Sequence, residues 1–397
     1  MTRPRDPTFI TRVSLKNFRS IAACDVPLGP LTFFVGANGA GKSNFLDALR
    51  LISDALTSSL DHALRERGGI QEVRRRSSDH PTHFGIRIEL VLPDGSRGHL
   101  AFEVGARPRG EYIVKQEQCR LGHAFYEVKE GVVTSTSASV VPPASEDRLF
   151  LVNAAGLPEF RPVFDALSQM GFYNINPAVI RGLQAPDKGD VLSRDGRNLA
   201  SVIERMEKVA APTKTRVEEY LSLVVPGVVG VAHKSVGHME TVEFRQKVEG
   251  SEAPWRFPAI NMSDGTLRAS AILVALFQSG NAEGVHLVGL EEPETALHPA
   301  AAGVLRDCIF EASRSVQVIV TSHSADLLDD HRIPVDALRA VEARDGNTLV
   351  TDVDMPSRSA LRDRLYTAGE LLRLNQLSVQ AESVPVATQL RLFGEGG

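Results

Sequence analysis

Two kinds of hydrophobic spacing alternate along this chain, and the switches between them mark its elements. Residues 9–21, "FITRVSLKNFRSI", alternate apolar and polar positions and predict a strand. The run 31–35, "LTFFV", is continuously apolar and predicts a buried strand. Phe45, Leu49, Ile52, Leu56 and Leu60 then recur at steps of four and three, the period of an amphipathic helix. From Phe84 the period returns to two, with Ile86, Ile88, Leu90 and Leu92 on the same face. "PDG" at 93–95 is a hairpin turn and "GHLAFEV" at 98–104 alternates again, so 84–140 predicts an antiparallel β-meander.

Beyond an exposed Ser/Pro-rich loop at 135–146, the spacing turns helical. "GRNLASVIERMEKVA" and "TRVEEYLSLVV" predict two helices separated at Pro212, and no heptad repeat is sustained. Residues 151–258 therefore predict a mainly helical insert. The following segment, 259–345, begins with a helix that opens at "SDG" (263–265) and is expected to end at Gly280. "VHLVGL" (285–290) and "VQVIVT" (316–321) are strands flanking a helix at 300–312, which makes a right-handed parallel βαβ unit. A mixed tail, 346–397, ends in "GEGG", expected to be mobile. The sum is one α/β domain, with 8–150 and 259–345 as its two halves.

Composition narrows the field. The chain has 397 residues, 43% of them apolar, enough for a substantial core. A net charge of -5 excludes a general nucleic-acid coat but allows a local basic patch. Cys24, Cys119 and Cys308 are scattered, which excludes a disulfide framework. With no apolar leader and no membrane-length run, a cytoplasmic protein without membrane contact is expected.

The strongest chemical signal is "GANGAGKS" at 36–43, a complete G-x-x-x-x-G-K-[ST] loop between a strand and a helix. Gly39 and Gly41 let the backbone curl so that its N–H groups face an anion. Lys42 suits β/γ-phosphates and the Ser43 hydroxyl suits Mg²⁺. The second signal is "LVGLEE" (287–292), two carboxylates at the C-terminal end of a buried strand, where open α/β sheets bind ligands. Adjacent carboxylates repel unless a cation offsets them. Successive strand residues face opposite ways, which assigns Glu291 to Mg²⁺ and Glu292 to the attacking water. His323 in "TSHS" ends the neighbouring strand and is expected beside Glu292. The turn Ser263–Gly265 fits two readings: a simple helix N-cap, or a phosphate site presented to a second copy in a C2 dimer. The D-x-D of "TDVDM" (351–355) raises a weak metal signal.

Together these pieces resemble the ABC-type P-loop ATPases of the RecF/SMC/OLD group, commonly labelled AAA family ATPases. The resemblance covers about 8–105 and 255–330. "LKNFRS" (15–20) is similar to that group's N-terminal strand motif, in which Arg19 would contact nucleotide. "GANGAGKSN" is similar to its Walker A loop, which implies ATP contacts from Gly36, Asn38, Gly39, Ala40, Gly41, Lys42, Ser43 and Asn44. "LVGLEEPE" resembles Walker B with the catalytic glutamate, "MSDGT" the signature motif with Ser263 and Gly265, and "ALHP" the D-loop. Four departures, Asp264, Thr266, Glu291 and His298, look like the OLD branch. The fold implied is an ABC-ATPase head: a mixed sheet around the P-loop core, the β-meander and the helical insert. The stretch after His323 is too short for the Toprim nuclease that branch often carries, so any nuclease is expected on a separate chain.

Three functions are consistent with this. One is an ATP-hydrolysing head whose ATP-driven homodimerisation acts on DNA or gates an effector partner, in repair or phage defence. In it, Arg65, Arg67 and Arg74–Arg76 of the cluster 65–80 would contact phosphates, unless they form an ordinary solvated loop. The others are the ATPase subunit of a membrane transporter and an ATP-dependent switch with little turnover.

Overall fold

A computed structural model of the chain describes residues 8–77, 80–278 and 285–394. Gly280 and most of "GEGG" lie outside them. The chain forms two compact units. One comprises Thr8–Met170, His331–Tyr366 and the tail from Leu371; the other comprises Gly171–Asp330 and Thr367–Glu370.

The first unit contains a seven-stranded antiparallel sheet. Its spatial order is Ile21–Pro27, Ile10–Phe18, His83–Val91, Arg97–Ala106, Tyr112–Leu121, Ala124–Lys129 and Val132–Thr136. The expected meander is therefore extended on one edge by the N-terminal hairpin. Phe84, Ile86, Ile88 and Leu90 are buried as one face, with Leu100 and Phe102 beside them. The opposite face carries Arg12, Arg87, Glu89 and His99. Part of that polar face is covered by the tail. A Cβ on Gly85 would lie 2.2 Å from Leu392 Cδ1. Arg87 Nη1 donates to the Leu392 carbonyl at 3.0 Å.

One carboxylate is wholly enclosed in this unit. Glu117 accepts from the Tyr126 hydroxyl at 2.6 Å and from the N–H groups of Phe150 and Leu151 at 2.5 and 2.9 Å. It thereby satisfies unpaired donors at the start of the helix Phe150–Ala154. Burial pushes its carboxyl up to about 7, against the three donors.

The phosphate-loop strand Leu31–Val35 is fully buried and pairs in parallel with Leu338–Arg344, which pairs antiparallel with Asn347–Asp352. The tail is thus integral to the unit that holds the phosphate loop. The helix Lys42–Thr57 follows the loop. Leu60 does not continue its apolar stripe but begins a separate helix, Leu60–Arg65, capped by the Ser59 side chain.

In the second unit, Leu287–Glu291 runs between two parallel neighbours, Gln317–Ser322 and Gly171–Tyr173. The helices Asp264–Phe277 and Ala302–Ala312 fall at the expected positions. Leu199–Val209 and Ala211–Val224 meet at Ala210, with Pro212 in the first turn of the second, where its missing N–H costs nothing. The insert is not mainly helical throughout. Val228–Val236, Met239–Gln246 and Trp255–Pro258 form a three-stranded antiparallel sheet. The valine-rich run after Val225 has strand chemistry, and Gly237 (φ 64) supplies the left-handed residue of a two-residue hairpin turn. No described helix is long and apolar enough to cross a membrane.

Candidate functional site

The phosphate loop is shaped by close contacts that tolerate no side chain. Gly39 and Gly41 have φ of 77 and 99, the left-handed region. A Cβ on Gly41 would lie 2.0 Å from Thr348 Oγ1, and one on Gly36 would lie 2.0 Å from the Val341 carbonyl oxygen. Thr348 Oγ1 donates to the Ala40 carbonyl at 2.9 Å and lies 2.7 Å from Ser20 Oγ, which accepts from Asn44 Nδ2 at 2.6 Å. Lys42 is 4% exposed, and its ammonium donates to the Gly36 and Ala37 carbonyls at 2.9 and 3.0 Å. The loop thus presents glycine-rich backbone and the first turn of a 16-residue helix, the arrangement that holds phosphate oxygens.

Arg19 has a left-handed backbone (φ 49), and its Nη2 meets Asp47 Oδ2 at 2.7 Å. Asp47, on the phosphate-loop helix, also takes Arg50 and Arg67. Sequence reasoning missed this carboxylate, whose position five residues after Lys42 was the available signal.

In the other unit, the strand ends at Glu291 and the chain turns sharply at Glu292, whose φ is 43. Glu292 N–H donates to the Thr321 carbonyl at 3.0 Å. The two carboxylates diverge because of this left-handed residue, not because a strand continues through both. His323 Nδ1 lies 3.2 Å from Glu292 Oε1. Glu291 Oε1 accepts from Arg194 Nη2 at 2.8 Å, a partner not foreseen from sequence. Glu294 was also missed. Its Oε1 accepts from the Ser322 hydroxyl at 2.6 Å and from the His323 N–H at 3.3 Å, which fixes the turn that carries the histidine. Its Oε2 is buried without a hydrogen-bond partner among the described residues. Burial lowers the Arg268 guanidinium from its ordinary value, while Glu294 and Glu292 oppose that shift. The cluster sets three carboxylates against two guanidiniums, and a cation joining it would compete with Arg194 for Glu291.

Ser263 caps the helix Asp264–Phe277, its hydroxyl accepting from Thr266 N–H at 3.2 Å. Gly265 is required by close approach, since a Cβ there would lie 2.6 Å from the Ala296 carbonyl oxygen. Ala296 itself has φ 64. The "SDG" turn and the "ALHP" stretch therefore pack on each other. His298 caps the short turn Pro299–Ala301, its Nδ1 accepting from Ala300 N–H at 3.2 Å.

A family profile described as "AAA ATPase domain" matches residues 9–83. A second, described as "AAA domain, putative AbiEii toxin, Type IV TA system", matches 181–330. An OLD nuclease from Thermus scotoductus is 24% identical over 380 residues, 91% of this chain and 68% of the relative. A DNA replication and repair protein RecF from Gloeobacter violaceus is 33% identical over 94 residues, 22% of this chain and 24% of the relative. The chain is a P-loop ATPase of the RecF/SMC/OLD type. Its fold is that of an SMC head. The crystal structure of an SMC head bound to the C-terminal winged-helix domain of ScpA superposes with TM-score 0.56 at 16% identity, over 88% of this chain and 99% of that one. An SMC head with an extended coiled coil, bound to the C-terminal domain of ScpA derived from Pyrococcus furiosus, gives TM-score 0.55 at 12% identity, over 90% and 99%.

One residue of the basic cluster needs correction. Arg67 of the basic cluster is not a surface group: its side chain is 0% exposed and pairs with Asp47 and Asp54. Arg74 is held by Gln71 and the Pro81 carbonyl, Arg75 by Asn347 and Ser77, and Arg76 by Glu72. Arg65 pairs with Asp61. The cluster thus binds the chain to itself. The D-x-D is structural as well. Asp352 pairs with Arg339 and Arg358, and Asp354 caps the helix Met355–Arg362. No metal-ligand cluster occurs among the described residues.

Proposed function

We propose that the chain binds and hydrolyses ATP with Mg²⁺, and that nucleotide drives two copies together to act on DNA or to gate an effector partner. The observation that carries this is the Glu292–His323 pair at 3.2 Å, set on a left-handed turn at the end of a buried strand. Backbone strain of this kind persists only where its surroundings impose it. In this reading the phosphate loop and the Glu291–His323 cluster serve one nucleotide. Gly36, Asn38, Gly39, Ala40, Gly41, Lys42, Ser43 and Asn44 cradle the phosphates, and Arg19 leaves Asp47 to reach them. Ser43 and Glu291 hold Mg²⁺, which offsets phosphate charge when bound. Glu292 takes the proton of the attacking water, and His323 orients it.

The dimer reading is supported by Ser263 and Gly265 at the start of a long helix, a turn suited to a partner copy's phosphates. A role on DNA, in repair or phage defence, is supported by the OLD and RecF relatives. A second reading, a switch with slow turnover, is favoured by the Arg194–Glu291 pair, because an occupied carboxylate delays metal binding.

Glu292→Gln tests the catalytic assignment. Phosphate release should fall by about 100-fold or more, with ATP affinity kept and an ATP-dependent dimer accumulating in sedimentation velocity. Turnover within about threefold of the parent would remove Glu292 from the mechanism.

A further inference from the structure

Three guanidiniums converge on two carboxylates beside the phosphate loop. Arg50 Nη2 and Arg67 Nε donate to Asp47 Oδ1 at 2.5 and 3.1 Å, and Arg67 Nη2 donates to Asp54 Oδ2 at 2.8 Å. Arg19 Nη2 approaches the other oxygen of Asp47, Oδ2, at 2.7 Å. That approach is a charge contact without an aligned hydrogen bond. Asp47 Oδ2 and Arg19 Nε are both buried with no hydrogen-bond partner.

The charges identify one arginine as surplus. Arg50, Arg67, Asp47 and Asp54 balance two against two, and Arg19 adds one positive charge. Exposure singles out the same residue. The Arg67 side chain is 0% exposed and that of Arg50 17%, whereas that of Arg19 is 30%. Arg67 is also held by the Ala63 carbonyl at 2.8 Å. Arg19 can therefore leave while Asp47 keeps both of its hydrogen-bonded arginines.

The backbone that carries Arg19 is fixed close to the loop. Asn17 and Arg19 are left-handed, with φ of 53 and 49. Arg19 N–H donates to the Val73 carbonyl, and Arg75 N–H to that of Asn17, each at 2.7 Å. The next residue, Ser20, accepts from Asn44 in the first turn of the phosphate-loop helix. Asp47 lies about one turn further along that helix. A pinned main chain thus carries a loosely held guanidinium beside the phosphate loop.

We propose that Asp47 is a positioning residue for the nucleotide: it parks Arg19 in the empty protein and releases it to the phosphates, while Arg50 and Arg67 keep the aspartate neutralised. This rests on the reading of the loop as an ATP site with Arg19 among its contacts. An aligned bond from a guanidinium to a phosphate oxygen is stronger than a charge contact that lacks one, so the exchange runs toward the nucleotide. The contact given up at Asp47 opposes binding, and the aspartate thereby sets the affinity.

The test is calorimetric titration of the full chain with a non-hydrolysable ATP analogue and Mg²⁺. Asp47→Asn keeps an oxygen for Arg50 and Arg67 and removes the charge that holds Arg19. It should tighten binding by about fivefold, as expected for a partly exposed ion pair. Arg19→Gln should weaken binding by about tenfold, and in that background Asp47→Asn should leave affinity unchanged. An aspartate that only supports the helix would weaken binding with Arg19 present or absent. A second measurement uses the parent chain and does not depend on the folding of an Asp47 variant. The Arg19 Nε–H signal in ¹⁵N-arginine NMR, assigned with Arg19→Gln, should shift as the analogue is added. The inference is overturned if folded Asp47→Asn fails to tighten binding, if it acts equally without Arg19, or if the Arg19 signal stays in place in the bound parent. A parent chain that binds no analogue overturns the ATP reading itself, and this inference with it.

Discussion

Thr348 is where the tail meets the phosphate loop, and its removal should read out in nucleotide affinity. The residue is 2% exposed. Its hydroxyl donates to the Ala40 carbonyl at 2.9 Å and meets Ser20 Oγ at 2.7 Å, while its backbone N–H donates to the Ser20 carbonyl at 2.8 Å. Thr348→Val keeps the shape that fits against Gly41 and the backbone bond, and deletes only the hydroxyl. Ala40 then loses a donor in a buried setting, and Ser20 keeps Asn44. A buried polar group left unpaired costs about 1–3 kcal/mol, so about 2 kcal/mol is expected here. If that loss falls on the ordered loop, ATP affinity drops by about 30-fold. Thr348→Ser restores the hydroxyl and removes one methyl, about 0.8 kcal/mol of burial. Binding of a fluorescent ATP analogue, alongside urea melts, separates the two. A valine variant that binds within about twofold of the parent, or a serine variant as weak as the valine one, would refute the argument that this hydroxyl shapes the loop.

Two further outcomes follow from the site and the core. Arg194→Gln removes the Arg194 pair from Glu291, and an ion pair this exposed on one side is worth about 1 kcal/mol. The Mg²⁺ concentration for half-maximal nucleotide binding should therefore fall by about fivefold; an unchanged value would mean that Arg194 does not compete for Glu291. Glu117 has a folded value raised to about 7 against an ordinary 4.5. Its contribution is fully present below pH 4.5 and is lost as pH rises through 7, by roughly 3 kcal/mol at most. Thermal melts should show a decline across that window, absent in Glu117→Gln, and an equal slope in both proteins would exclude Glu117 as its source.

Where a pattern is local, it was legible. The phosphate loop, its strand and helix, the meander and the parallel unit around Glu291 follow from period and turn chemistry within short windows. The Glu292–His323 contact was legible too, because parallel pairing puts the ends of adjacent strands side by side. The three-stranded sheet at 228–258 was lost because the two helical stretches ending at Val225 dominate the pattern of 151–258, although the glycine of its hairpin was in view. The arginine cluster misled for a different reason. Charge along a sequence does not reveal burial, and Arg67 finds Asp47 and Asp54 only when two helices pack.

By itself the sequence determined which residues can hold phosphates and which carboxylates end a buried strand, because spacing along a strand or a loop dictates side-chain direction. Tertiary structure decided what each of them touches. It set Thr348 against Gly41, Arg194 on Glu291, Glu294 beneath His323, and the Leu392 carbonyl on Arg87. Glu294 and His323 lie 29 residues apart, Arg194 and Glu291 97, and Arg87 and Leu392 305. Contacts at such distances come from burying apolar faces together, and no local period in the chain records them.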